Sequence, residues 1–186
     1  MPKTEKQILD ITDQLKGQVI KEVIYYLEPE YVDLKETRSK IGDTLYDGVD
    51  LVTNSGIYSI GNRFKINEGL DIKIGSTKNI ELLNSDKKPI SVSFESENNE
   101  ILEASLYWQK SFWENNENWY PQDLVVKTVK GLLVFSSLEI MDDKPYISPS
   151  DELFVTSDME TITEFELGDF GKGKLFKSAE EIKNEL

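Results

Sequence analysis

The chain has 186 residues, enough for one hydrophobic core that buries roughly 70% of the surface its unfolded form exposes. Its 35 acidic against 21 basic side chains leave a formal net charge of −14, a field that repels nucleic acid and anionic membranes and attracts cations or basic proteins. With no cysteine and no histidine, disulfides, thiol nucleophiles, Ser-His-Asp triads and the usual zinc sites are excluded.

The opening MPKTEKQILD turns polar at once and lacks the apolar run of a secretory signal. No apolar stretch approaches the roughly 20 residues that cross a bilayer. Together with the missing cysteines, this sets the expectation of a soluble, cytoplasmic protein with no membrane association.

Thr4 and Gln7 have capping-box spacing, and Ile8, Ile11 and Leu15 recur at helical intervals up to Gly17, a natural left-handed helix end. An N-terminal helix is predicted. From Gln18 the run QVIKEVIYYLE is rich in β-branched and aromatic residues and reads as a strand. Pro29 interrupts it, and EYVDLKETRS fits either a second strand or a loop with a short helix. Apolar residues on both sides of Asn54-Ser55-Gly56 predict a hairpin.

Leu70, Ile72 and Ile74 alternate with Asp71 and Lys73, a strand with one dry face, and KKPISVSFES repeats the pattern with Ile90, Val92 and Phe94. DLVVKTVKGLLVFSSLEI turns at Lys130-Gly131 into a second hairpin, and DELFVTSD supplies a short strand. Ser178 and Glu181 form a capping box ahead of Ile182 and Leu186, predicting a short C-terminal helix. The expected fold is a single α+β domain over residues 1–186, predominantly antiparallel β, with sheets built from hairpins.

An internal duplication is suggested by paired landmarks. IKEVIYYLE from Ile20 aligns with ILEASLYWQ from Ile101, and Asp50-Leu51-Val52 with Asp123-Leu124-Val125, each followed by a glycine turn at Gly56 or Gly131. LDIKI from Leu70 then corresponds to LFVTS from Leu153, giving halves of about 18–95 and 96–176. The offsets drift, so generic β-hairpins explain the similarity as well as repetition does.

All three tryptophans lie in LYWQKSFWENNENWYPQD. Trp113, Trp119 and Tyr120 around Glu114 and Glu117 make a candidate aromatic and acidic platform, the alternative being a loop packed over a sheet edge. In SDMETITEFELGDF, Glu160, Glu164 and Glu166 share one parity and would line one face of a strand, as a solvated stripe or as a counter-surface for Lys and Arg. Asp43, Asp47 and Asp50 around Gly48 lack the ligand order of a calcium loop, and GDFGKGK lacks the Walker pattern and reads as a turn. No metal site or cofactor is expected.

These features point to an acidic, non-enzymatic binding protein. The closest functional analogy is an inhibitor or immunity-type protein that neutralises a basic partner such as a bacterial toxin, with Trp113, Trp119 and Tyr120 as anchors and the carboxylates as rim. One alternative is a small-ligand or carbohydrate module that uses the same aromatics for stacking. Another is a carboxylate-dependent hydrolase, whose acid pair would be defined in space and not by sequence spacing.

Overall fold

Helix α1 (Lys3–Asp13) buries Ile8, Leu9 and Ile11, and Leu15 follows in the turn that ends it. Thr4 lies inside the first turn, not at the cap. Gly17 takes φ +82°, the left-handed exit that favours glycine, and its N–H donates to the Ile101 carbonyl at 2.8 Å. The computed structural model describes residues 3–27, 41–46, 48–62, 69–79, 87–95, 97–111, 118–141, 144–146, 152–170 and 176–178. The segment EYVDLKETRS and the expected C-terminal helix beyond Ser178 lie outside them.

The strands of the first half are β1 (Ile20–Leu27), β2 (Asp43–Leu45), β3 (Val49–Thr53), β4 (Ile57–Asn62), β5 (Leu70–Ile74) and β6 (Lys88–Val92). Those of the second half are β7 (Ile101–Ser111), β8 (Asn118–Thr128), β9 (Gly131–Ser136), β10 (Glu139–Met141), β11 (Lys144–Tyr146), β12 (Leu153–Thr156) and β13 (Phe176–Ser178). One sheet has the order β5-β4-β3-β1-β6, the other β13-β7-β8-β9-β12-β2, and β10 pairs with β11. All the pairings are antiparallel, so the chain is mostly antiparallel β with two helices among the described residues.

The two sheets are wired alike. In the first, β1-β3-β4-β5 form a meander and β6 returns to pair with β1; in the second, β7-β8-β9-β12 form a meander and β13 returns to pair with β7. Both predicted hairpins are present. In each, a threonine hydroxyl donates to the carbonyl of the turn glycine, Thr53 to Gly56 at 3.0 Å and Thr128 to Gly131 at 3.2 Å.

One apolar cluster joins the sheets, taking Val23, Leu51 and Ile60 from the first, Leu106, Trp108 and Phe135 from the second, and Ile8 and Leu15 from the helical end. Strand parity sorts the rest: Leu153 and Val155 enter this shared core, while Phe154 points to the outer face of the second sheet. There it meets Val134, Ile162, Phe165 and Leu167 in a second cluster.

That second cluster corrects the reading of 157–170. The stretch carrying Glu160, Glu164 and Glu166 is not a strand but helix α2 (Met159–Glu164), followed by a 3-10 turn over Gly168–Phe170. Asp158 starts the helix, its Oδ2 accepting the Thr161 N–H at 2.8 Å and the Thr161 hydroxyl at 2.6 Å. Those two bonds hold the Asp158 carboxyl below its ordinary range. Ile162 and Phe165 are both buried, three residues apart, which helix geometry satisfies and strand alternation cannot. Glu160 and Glu164 are exposed on the helix, and Glu166 lies beyond it at φ +54°.

Candidate partner-binding groove

The aromatic and acidic platform does not assemble as expected. Tyr120 is buried, its hydroxyl donating to Gln122 Oε1 at 3.1 Å, and burial pushes its phenol well above the usual tyrosine range. It is therefore a core side chain and not an exposed anchor. Trp119 is half-buried and packs against the core shared by the sheets, whereas α2 lies on the opposite face of the second sheet. Trp113, Glu114 and Glu117 lie outside the described residues. The structure thus brings neither Trp119 nor Tyr120 together with Glu160, Glu164 and Glu166.

A different concavity is present on the outer face of the second sheet. A groove of about 450 Å³ runs between the β8–β9 hairpin and the α2 segment, floored by the outward side chains of β7 and β8. Glu103, Ser105 and Tyr107 of β7 lie two apart in sequence and so share one face. The hairpin wall carries Lys127, Val129 and Lys130; the opposite wall carries Met159, Ile162, Leu167, Asp169 and Phe170.

The hairpin tip Thr128-Val129-Lys130-Gly131 leaves Val129 72% exposed, and Met159 at the start of α2 is 45% exposed. Two apolar side chains thus stand open to solvent across one groove. The wall charges differ in sign. Residues 157–170 hold five carboxylates and no Lys or Arg, while the facing hairpin offers Lys127 and Lys130, neither ion-paired among the described residues.

Behind the groove lies a buried carboxylate. Asp123 of β8 is fully buried, opposite Tyr107 on β7 and Ser136 on β9. Its Oδ1 accepts the Ser136 hydroxyl at 2.5 Å and its Oδ2 accepts the Gly168 N–H at 2.8 Å. Burial pushes its pKa up to about 6, the two hydrogen bonds opposing that rise. Tyr107 donates to Asp169, and burial with this bond drives its phenol far up, so it stays neutral.

The first sheet holds a counterpart. Asp50 stands opposite Ser59 on β4 as Asp123 stands opposite Ser136, and it too is buried. Four groups donate to it: Tyr26 Oη and Ser76 Oγ at 2.6 Å, Thr77 N at 2.7 Å and Thr77 Oγ1 at 2.5 Å. Burial, aided by the bond to Asp50, raises Tyr26 to about 12. Asp43 accepts from Tyr25 at 2.9 Å, and no group of three or more acidic residues is placed to hold a metal among the described residues.

Sequence reading missed Val129, Met159, Lys127, Lys130 and Asp169 as a set. The local signals were an apolar residue at a hairpin tip and a methionine between two acids, each unremarkable alone. No helix among the described residues is long and apolar enough to cross a membrane. No protein-family model matches the chain, and neither a curated protein nor a solved structure matches it.

Proposed function

We propose that the chain is a binding protein, not an enzyme, that captures and neutralises a basic polypeptide in the manner of an immunity protein, using the groove between α2 and the β8–β9 hairpin. The observation that carries this reading is the pairing of exposed Val129 and Met159 across a groove whose one wall belongs to residues 157–170, a segment of five carboxylates, in a protein of net charge −14. Apolar side chains ringed by charge are the usual composition of a protein-recognition surface. The acidic field speeds encounter with a cationic partner, and burial of the apolar pair supplies affinity.

Lys127 and Lys130 give the site polarity. They disfavour a uniformly cationic segment and select one whose cations face α2 while its neutral or acidic side faces the hairpin. The cysteine-free composition suits a reducing compartment, and we place the protein in the cytoplasm on that ground. The carbohydrate reading loses Tyr120 as a stacking surface, because that ring is buried. The hydrolase reading gains no acid from Asp123, which is sealed beneath the turn and does not line the groove.

Selection of a random peptide library on the immobilised chain tests the proposal. Enriched peptides should carry an apolar residue flanked by Lys or Arg. Met159→Ala should weaken the best of them roughly tenfold, a loss of about 1.4 kcal/mol. Glu160→Lys combined with Glu164→Lys should slow association roughly tenfold at low salt, with the difference shrinking as salt is added. Peptides bound equally well by the native chain and both variants would remove the groove from consideration.

A further inference from the structure

We infer that Asp169 is the receptor for one arginine side chain of the partner: its carboxylate, oriented by the Tyr107 hydroxyl, takes the guanidinium, while the apolar lining of the groove takes the stem. That the arginine belongs to a protein partner rests on the groove being the binding site; the affinity of the subsite for the side chain does not.

Two carboxylates line the groove, Glu103 on its floor and Asp169 in the turn that follows α2. They are not equivalent. Glu103 accepts the Ser105 hydroxyl at 3.0 Å and stands opposite Lys127 in the β7–β8 register, so it shares its end of the floor with a lysine. Asp169 is exposed, lies in a segment without Lys or Arg, and makes no ion pair among the described residues. Glu160 and Glu164 are exposed on α2 without lining the groove, and they act on a partner through their field alone.

Tyr107 makes Asp169 an oriented acceptor and not a mobile surface acid. Its side chain is buried in the floor, and its hydroxyl donates to Asp169. Burial first, and then that bond, push the phenol far above the usual tyrosine range, so the hydroxyl remains a donor. The backbone beside the carboxylate is held too. Gly168 takes φ +56°, where a Cβ would lie 2.5 Å from Val125 Cγ2, and its N–H donates to Asp123 at 2.8 Å. An acceptor fixed from both sides loses little freedom on binding, which is how a pre-organised site gains affinity.

What stays open on Asp169 fits a guanidinium. A carboxylate offers about four acceptor positions and Tyr107 uses one, leaving room for the two parallel N–H donors of arginine. Phe170, next in the chain, lines the same groove half-buried and offers part of its ring to a flat cation, a contact that a lysine ammonium uses less well. Val125, Leu132, Ile162 and Leu167 give the methylenes of the stem an apolar bed. Lys127 and Lys130 occupy the hairpin side, which repels a cationic head group and directs it to the turn.

The probe is Nα-acetyl-arginine N-methylamide, titrated into the intact chain and followed by amide chemical shifts; the citrulline analogue, equal in shape but uncharged, is the control. The arginine probe should bind in the millimolar range with its largest shifts at Gly168–Phe170, the citrulline probe roughly tenfold more weakly, and the lysine analogue roughly threefold more weakly. Asp169→Asn, which keeps an oxygen for Tyr107, should weaken the arginine probe roughly tenfold, and Glu103→Gln less than about twofold. Tyr107→Phe keeps the ring, so a merely structural role would affect both probes alike; as a positioning residue it should cost the arginine probe roughly threefold and leave the citrulline probe unchanged. Arginine binding no tighter than citrulline or lysine, or a smaller loss from Asp169→Asn than from Glu103→Gln, would overturn the inference, as would the absence of saturable shifts up to about 50 mM probe. A subsite that responds as expected while Met159→Ala leaves selected peptides bound would spare the subsite and remove the groove as the partner site. Peptides that depend on Met159 but ignore Asp169→Asn would do the opposite.

Discussion

Replacing Asp123 by asparagine should alter the pH dependence of folding far more than the fold. The native carboxyl titrates at about 6 against an ordinary 3.8, chiefly because it is buried. Between those values the folded chain holds a proton that the unfolded chain has released. The stability so conferred is complete below the unfolded value and is lost as pH rises through about 6. The rise from 3.8 to about 6, at roughly 1.4 kcal/mol for each tenfold change in acidity, amounts to about 3 kcal/mol between pH 4 and pH 7, a large fraction of a typical total of roughly 5–15 kcal/mol. Asparagine preserves the shape, with Oδ1 accepting from Gly168 and Nδ2 donating to a rotated Ser136 hydroxyl. Urea midpoints of both proteins, measured from pH 4 to pH 7.5 at constant ionic strength, give the comparison. The other carboxylates act equally on both chains and cancel. The difference in stability, variant minus native, should climb by about 3 kcal/mol as pH rises across this window. Parallel curves would show that Asp123 does not titrate in the folded protein as its burial demands.

Two further substitutions probe the interior. Asp50→Ala removes the acceptor of four donors and should cost roughly 3–5 kcal/mol, read as a lowered urea midpoint; a loss below about 1 kcal/mol would mean that water satisfies those groups equally well. Gly69→Ala and Gly75→Ala form a matched pair, since both glycines have positive φ but only the first is crowded. A Cβ on Gly69 would lie 2.2 Å from the Pro121 carbonyl oxygen, and one on Gly75 meets nothing within 4 Å. Gly75→Ala should lose about 1 kcal/mol to backbone strain, and Gly69→Ala at least about 3 kcal/mol. Equal losses in thermal denaturation would contradict the close approach of β5 and β8.

The parts of the fold legible in the sequence are those governed by neighbours in the chain. Alternation at Leu70 and Ile72 and the Thr53–Gly56 and Thr128–Gly131 turns specify strands and hairpins through side chains a few residues apart, although Ile74, expected on the same dry face, is exposed at the strand end. The α2 segment misled because Glu160, Glu164 and Glu166 satisfy a period of two by accident, while the decisive Asp158 cap and the Ile162–Phe165 spacing are weaker signals. The pairing of β2 with β12 spans more than 100 residues and depends on the finished sheet. Tyr120 and Trp108 are buried beside an irregularity where the β7–β8 register shifts between Tyr107 and Trp108, so counting parity along the strand misassigns faces there. The groove was illegible because its walls come from a hairpin and a helix about 30 residues apart, and neither is unusual alone.

We infer that the two sheets descend from one duplicated unit, and the buried aspartates carry the argument. Each lies on the second strand of a meander, opposite a serine on the third, and each accepts a backbone N–H from a 3-10 turn that follows the fourth. The first strands share an irregularity as well, between Ile20 and Glu22 in β1 and between Ile101 and Glu103 in β7. Ser59 follows Gly56 by three residues and Ser136 follows Gly131 by five, so the second hairpin is longer by two residues on each arm. An even change keeps every side chain on its face, whereas an odd one would turn the core outward, and this is why the offsets drift without disturbing the pattern. An experimental structure placing either aspartate out of register with its serine would end the inference. If it holds, the copies have divided their labour: the first surrounds its buried carboxylate with four donors, and the second, with two, has an outer face on which a helix and a hairpin meet around a groove.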